Sequence, residues 1–374
     1  MSPTPERSGP RRVFLHVGLP KTGTTYLQDA LWANKRLLRE RGLLLPGARR
    51  RHLLASLEVR EDPGLARRPG DTAHPWQDLV AEAQQWSGDV LVTHEFFAAA
   101  SVEQVRRVVA DLTGAEVHVL VTARAMPDLF ISRWQEWVKN GARGRIDAYP
   151  PDGPRADTGE WGWPSFDLGI VLERWGAVLP HERVHVLPMA PGSSEPGELL
   201  RRFLGVLGLD DEGLEVPAAA ANASLGLVEV ELLRRVNAHL GDFRSAHDRG
   251  TWIRGYLGEG GVLPASREKF RPSRETVADL VARGERAQRM LREEGFDVVG
   301  DAALLEPGDL DGRRHPDEVD EAEMLACATE AMARLTGDVR SLTRERDALS
   351  QAPSRPPRLS WLRVNVRGRG PRTG

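Results

Sequence analysis

The apolar run Val13-Phe14-Leu15-His16-Val17 leads directly into Gly18-Leu19-Pro20-Lys21-Thr22-Gly23-Thr24-Thr25-Tyr26-Leu27. A strand that feeds a glycine-bearing turn and then opens a helix constrains the chain more than any other feature. It demands a β-α unit whose turn collects unpartnered backbone N–H groups at the positive end of a helix. Gly18 and Gly23 allow close approach or positive φ, Thr24 and Thr25 add hydroxyls, and Lys21 adds an ammonium, so the turn suits phosphate or sulfate. Lysine occurs elsewhere only at Lys35, Lys139 and Lys269, the other basic residues being arginine. The loop therefore keeps a compact, mobile charge that follows a moving anionic group better than a rigid guanidinium does.

The position of the lysine narrows the anion. A nucleotide-triphosphatase loop, G-x-x-x-x-G-K-[ST], needs Lys directly after its second glycine and then Ser or Thr for magnesium. Here that place is Thr24, and Lys21 stands two residues before Gly23. Pro20-Lys21-Thr22-Gly23-Thr24-Thr25 instead resembles the 5′-phosphosulfate loop of sulfotransferases that use 3′-phosphoadenosine 5′-phosphosulfate (PAPS). The resemblance implies an α/β protein of the P-loop-nucleotide-kinase-like sulfotransferase fold, a central parallel sheet flanked by helices, here with a C-terminal helical extension. It also implies PAPS as donor co-substrate, held by Pro20, Lys21, Thr22, Gly23, Thr24 and Thr25, and no metal.

In that family an Arg at the end of a central strand and a Ser eight residues later meet the donor's 3′-phosphate. Val117–Ala123 is a β-prone run ending at Arg124, and Ser132 lies eight residues on. Pro127 and Asp128 suit the first turn of a helix, which places Ser132 on its second turn. The run Val90-Leu91-Val92 ends in Thr93-His94-Glu95, two titratable residues at the carboxyl edge of another strand, where open α/β sheets bind ligands. Animal cytosolic members place a catalytic His after Thr at this strand end, and other branches use a Glu. The resemblance implies that His94 or Glu95 is the base that takes the acceptor's proton, His94 being narrowly favoured, with Lys21 assisting at the departing phosphate. The late R-K-G-x-x-G motif of the animal branch has no clean copy, Arg267-Glu268-Lys269 and Arg271 being the nearest basic cluster. This fits a bacterial-type member.

Composition agrees: 374 residues, 40% hydrophobic and 28% charged, match a globular chain of one large domain with extensions. One cysteine, Cys327, excludes an intramolecular disulfide and a cysteine metal cluster. No apolar leader or spanning run occurs, so the expected place is the cytoplasm. A net charge of −3 argues against nucleic acid as a partner.

The expected organisation is an arm at 1–11, a sulfotransferase domain at 12–300, a linker at 301–317, a helical segment at 318–351 and a basic tail at 352–374. Within the domain the spacing predicts helices from Thr24 to Arg41, Trp76 to Trp86, Ser101 to Leu112, Phe166 to Leu179, Pro196 to Leu207, Leu225 to Leu240 and Ser273 to Glu294. The Arg-, Gly- and Pro-rich segment 47–75 reads as an irregular loop over the site edge. Tyr149, Trp161 and Trp163 in the loop 141–164 either line an acceptor pocket or pack, and Trp134 and Trp137 at helical spacing suit core packing. Leu325, Ala328, Met332, Leu335, Val339, Leu342 and Leu349 alternate spacings of three and four, with Arg346 interrupting, which makes a short coiled coil in a homodimer or a stripe folded onto its own domain. The tail carries six arginines and no acid beside Trp361, so it either contacts an anionic membrane surface or remains disordered.

The reading is a transferase that moves a sulfuryl group from PAPS to a hydroxyl or amine of a small-molecule or glycan acceptor. Its alternatives are a nucleotide or small-molecule kinase of the same superfamily and an idle binding or scaffold protein.

Overall fold

The computed structural model describes residues 10–153, 159–189, 196–216, 224–264 and 266–351. The basic tail lies outside the described residues, as does the arm up to residue 9.

β1 (Arg12–His16) passes through the glycine loop into α1 (Thr24–Ala33), followed by α2 (Lys35–Glu40), β2 (Leu43–Leu44), α3 (Arg49–Val59) and α4 (Pro75–Gln84). β3 (Asp89–Thr93), α5 (Val102–Asp111), β4 (Glu116–Ala123) and α6 (Met126–Lys139) come next. Beyond them lie α7 (Leu168–Gly176), β5 (Val184–Pro188), α8 (Pro196–Leu207) and α9 (Leu227–Val236). The short α10 (Ala246–Asp248) runs into a π-helical stretch, Arg249–Glu259, and α11 (Arg274–Glu293), β6 (Asp297–Val298) and α12 (Glu321–Gln351) complete the order.

All six strands are parallel, in the order β2-β3-β1-β4-β5-β6. Leu15 is level with Val92 on one side and Val119 on the other. The pleat sorts the strands' side chains by face. Val13, Leu15, Val92, Val119 and Val121 join one core cluster with Trp76 of α4, Val105 of α5, Phe130 of α6 and Trp175 of α7. Phe14, Leu91, Leu120 and Leu187 join the other with Leu27 and Leu31 of α1, Leu38 of α2 and Phe203 of α8. With both faces covered the strands read as near-continuous apolar runs, and each fully buried side chain contributes about 1.5–3 kcal/mol.

The segment 47–75 departs from the expected loop, because it forms α3 and a 3₁₀ turn at Leu65–Arg67. Three arginines at its start mask the buried stretch that follows: Arg49 and Arg50 are exposed and Arg51 half-buried, while His52, Leu54, Ala55, Ser56, Leu57 and Val59 are buried. The helix expected from Thr24 to Arg41 divides at Asn34, whose amide donates to Ala30 O and Glu215 O and accepts from Glu215 N. Side-chain bonding of this kind competes with the helix ladder. Residues 301–319 bury Leu305, Leu310 and Val319 against the domain. Among the described residues no helix is long and apolar enough to cross a membrane.

Candidate functional site

The strand order sets three sequence segments side by side. β1 lies between β3 and β4, so the glycine loop, Thr93-His94-Glu95 and Arg124 all emerge at the carboxyl edge of three neighbouring strands, where the chain's direction of winding reverses. Backbone bonds tie them together: Val17 N donates to Leu120 O (3.0 Å), Leu19 N to Thr122 O (2.9 Å) and His94 N to His16 O (3.0 Å).

Within the loop, Gly18, Lys21 and Gly23 all have positive φ, at 28°, 69° and 80°. A Cβ on Gly18 would stand 2.6 Å from Thr24 Cγ2, 2.8 Å from His16 Nε2 and 2.9 Å from Thr122 Oγ1, so the turn closes only with glycine there. Lys21 has no such excuse. A lysine held in the left-handed region costs about 1–2 kcal/mol, a strain that concentrates at ligand clamps. Thr22 anchors the turn from inside, donating to Leu19 O and accepting from Thr122 Oγ1 at 2.6 Å. No side chain caps α1 and no acid lies in its first turn, which leaves its leading amides facing the loop.

Lys21 Nζ meets Glu136 Oε2 at 3.1 Å. Glu136 in turn meets Arg254 at 3.2 Å, Arg254 meets Glu259 at 3.4 Å, and Lys139 meets Glu259 at 3.3 Å. Burial alone raises the pKa of the Glu136 carboxyl, but the charges of Lys21 and Arg254 outweigh it and hold that pKa below the usual range. Burial likewise lowers the pKa of the Lys139 ammonium, against the pull of Glu259. One turn earlier on the same face of α6, Ser132 Oγ accepts from Arg124 Nη1 at 3.2 Å. Arg124 Nε is buried with no partner, so the guanidinium keeps donor capacity aimed into its surroundings. A small cleft beside it is lined by Met126, Phe166, Asp167 and Arg283.

At the end of β3, His94 Nδ1 accepts from Phe96 N at 3.1 Å. That bond places the proton of the neutral ring on Nε2, leaving no lone pair there for an incoming hydroxyl. Burial lowers the ring's proton affinity, opposed by Glu95 and reinforced by Arg60, Arg49 and Arg68. Glu95 Oε2 accepts from Gln28 Nε2 at 3.2 Å. Burial raises its pKa, but His94, a backbone N–H and Gln28 prevail, so the carboxyl is ionised. Two further histidines stand behind. Burial lowers both His16 and His52 to about 4. His16 Nδ1 bonds Thr93 Oγ1 at 2.8 Å, and His52 Nδ1 accepts from Thr93 N at 3.0 Å.

The aromatic residues of 141–164 pack against the rest of the fold. Tyr149 lies 5.4 Å from Phe130 and from Trp137 and stacks on Phe166 at 5.7 Å, while Arg133 covers Trp161 and Arg283 covers Trp163. Trp134 is fully buried against Phe270. Within 267–271, Glu268 pairs with Arg314 at 2.8 Å and Arg271 donates to Pro272 O. The basic residue that reaches the loop network is Arg254. Sequence reading missed it inside the glycine-rich stretch 249–261, and also missed Glu136, though its place four residues after Ser132 puts it on the same helix face.

No protein-family model matches the chain, and no curated protein does. Among solved structures it is similar to the crystal structure of a sulfotransferase from Alicyclobacillus acidocaldarius, with 15% sequence identity over 62% of this chain and 94% of that one and a TM-score of 0.39.

Proposed function

We propose that the chain is a PAPS-dependent sulfotransferase acting on a hydroxyl or amine of a small-molecule or glycan acceptor. The observation that carries this reading is the single face of α6 that joins two anion-binding groups, Ser132 holding Arg124 and Glu136 holding Lys21. A donor with negative charge at both its 5′ and 3′ ends matches two such points, whereas a nucleoside triphosphate carries its charge at one end. The strained loop with its open helix amides and the buried, partnerless Arg124 Nε fit the donor's two ends. The donor, when bound, supplies the sulfuryl group and departs as 3′-phosphoadenosine 5′-phosphate.

The chain's own residues then have separable tasks. Lys21 and the amides of Thr24 and Thr25 balance negative charge at the loop, as preorganised donors do without reorganising at the moment of reaction. Arg124 and Ser132 orient the far end. Glu95, ionised and with its second oxygen uncommitted to Gln28, receives the acceptor's proton. This reverses the narrow preference for His94, whose Nδ1 accepts from Phe96 N and so caps the turn that carries Glu95.

Calorimetry tests the reading. 3′-phosphoadenosine 5′-phosphate should bind without magnesium, and Arg124→Ala should weaken it at least about tenfold, the loss of one charged bidentate contact. Preference for magnesium-ATP over that nucleotide would assign the site to phosphoryl transfer instead.

A further inference from the structure

Among the described residues seven large apolar side chains are exposed, and five of them lie on α12: Leu325, Met332, Val339, Leu342 and Leu349, between 63% and 77% exposed. The helix is held to its own domain along an adjoining stripe, which shares its border residues Ala328 and Leu335 with the exposed one. Cys327 and Ala331 are buried, Ala328 and Leu335 partly so, Arg334 donates to Gly261 O and Leu263 O, and Tyr256 donates to Asp338 at 2.7 Å. Beyond Asp338, the described residues of α12 make hydrogen bonds and ion pairs only within the helix.

The hydroxyls on the exposed stripe are turned inward. Thr329, Thr336 and Thr343 each donate to the carbonyl four residues earlier, those of Leu325, Met332 and Val339, at 2.7–2.8 Å. Ser350 does the same to Arg346. Their polar atoms are satisfied within the helix, and the threonine methyl groups are left outward. From Leu325 to Thr343 the face is therefore apolar in effect and uncharged, longer and more continuous than scattered surface residues make.

We infer that this face pairs with the same face of a second copy of the chain, the two α12 helices running antiparallel about a two-fold axis at Gly337. Such an axis sends each residue to the one equally far beyond Gly337. Leu325 then meets the partner's Leu349, Met332 the partner's Leu342 and Leu335 the partner's Val339, so apolar faces apolar at three of the four layers. At the fourth layer Arg346 falls against the small partner's Ala328, which leaves its stem room to run out to solvent. Charge selects the direction. A parallel pair would bring the two Arg346 guanidinium groups into one layer, whereas the antiparallel pair keeps them about 27 Å apart along the axis. The arrangement is isologous, as closed dimers require. It also accounts for Leu342 and Leu349, which point to the side where the domain lies but stand past its end.

Sedimentation equilibrium of the full chain at tens of micromolar tests the pairing, and a dimer is expected. Met332→Glu with Val339→Glu should weaken it by about a hundredfold or more, since four carboxylates enter one apolar seam. Circular dichroism and nucleotide binding should not change, because both side chains are already exposed. In a Cys327→Ser background, Met332→Cys with Leu342→Cys should give a disulfide-linked dimer on oxidation. Met332→Cys alone should not, its two sulfur-bearing positions lying about 15 Å apart along the helices. A monomer at every concentration, a dimer indifferent to the glutamates, or ready cross-linking through Met332→Cys alone would each overturn the inference. So would binding of the monomer to phosphatidylglycerol vesicles through this face.

Discussion

Replacing Lys21 by methionine separates the two roles its contacts allow, that of a structural counter-ion and that of a charge poised for the reaction. At 3.1 Å from Glu136, and with side chains 24% and 10% exposed, the pair gains about 5 kcal/mol of gross Coulomb attraction at an effective dielectric near 20. Most of this is offset by taking the carboxylate out of water, and removing one partner of a fully buried pair costs about 3–5 kcal/mol. Here the cost is smaller, because Glu136 keeps Arg254 at 3.2 Å and the Asn140 amide at 3.2 Å. We expect a loss of about 1–2 kcal/mol, read as a fall of a few degrees in the midpoint of thermal unfolding. The loss in rate should be far larger. Removing one preorganised donor lowers kcat by about 10²–10³-fold, or roughly 3–4 kcal/mol. Glu136→Gln supplies the contrast: similar destabilisation, but kcat/KM within about tenfold of the parent because the ammonium is retained. The assay is transfer of labelled sulfate from PAPS to an acceptor identified from an extract, alongside thermal unfolding of both variants. If Lys21→Met keeps more than a tenth of the activity, or if both variants lose activity alike, Lys21 is only the counter-ion of Glu136 and the proposed role is wrong.

Glu95→Gln should lower kcat by about 10²–10⁴-fold, the span of general-base catalysis, while His94→Asn should cost less than tenfold; the reverse order in the same assay would return the base to His94. The carboxyl of Glu95 is ionised with its pKa held below the usual range, so kcat/KM should be level from neutral pH down to about 5 and fall only as Glu95 protonates below its ordinary value near 4.3. Folding stability has a separate window. His16 and His52, lowered to about 4 by burial, take up protons more readily unfolded than folded, so stability is complete above pH 6.5 and declines as pH falls towards 4. Each contributes roughly 3 kcal/mol to that slope, and urea midpoints for His52→Gln should show a visibly flatter profile. Gly18→Ala sets a Cβ within 3 Å of three side-chain atoms at a φ of 28°, and should cost about 2 kcal/mol or more along with donor binding; unchanged nucleotide affinity by calorimetry would show that the turn adapts.

Much of the site was legible in one dimension because its chemistry is local. The strand-turn-helix signal of 13–27 lies within a few residues, as does the spacing of Arg124 and Ser132 across one strand end and helix start. Other parts were hidden for identifiable reasons. Three arginines at 49–51 concealed α3, since a run of charge outweighs the apolar spacing that begins only at His52. The partner of Lys21 stands 115 residues away, on a helix whose pattern speaks of core packing. Trp161 and Trp163 carry the same letters whether they line a pocket or pack under Arg133 and Arg283, and only the fold assigns them to the cluster.

The division follows from range. By itself the sequence determined that Gly18–Leu27 makes a glycine-bearing turn from a strand into a helix, that the strands are apolar enough to be buried, and that the stretch ending at Gln351 is a continuous helix, because each depends on neighbours along the chain. The tertiary structure alone decided that β1 lies between β3 and β4, which brings Lys21, Glu95 and Arg124 to one edge. It alone set Glu136 against Lys21 and tied His94 Nδ1 to Phe96 N, which fixes the proton of the neutral ring on Nε2. Charge pairing and tautomer are properties of atoms a few ångströms apart, and no spacing in the sequence records which atoms those are.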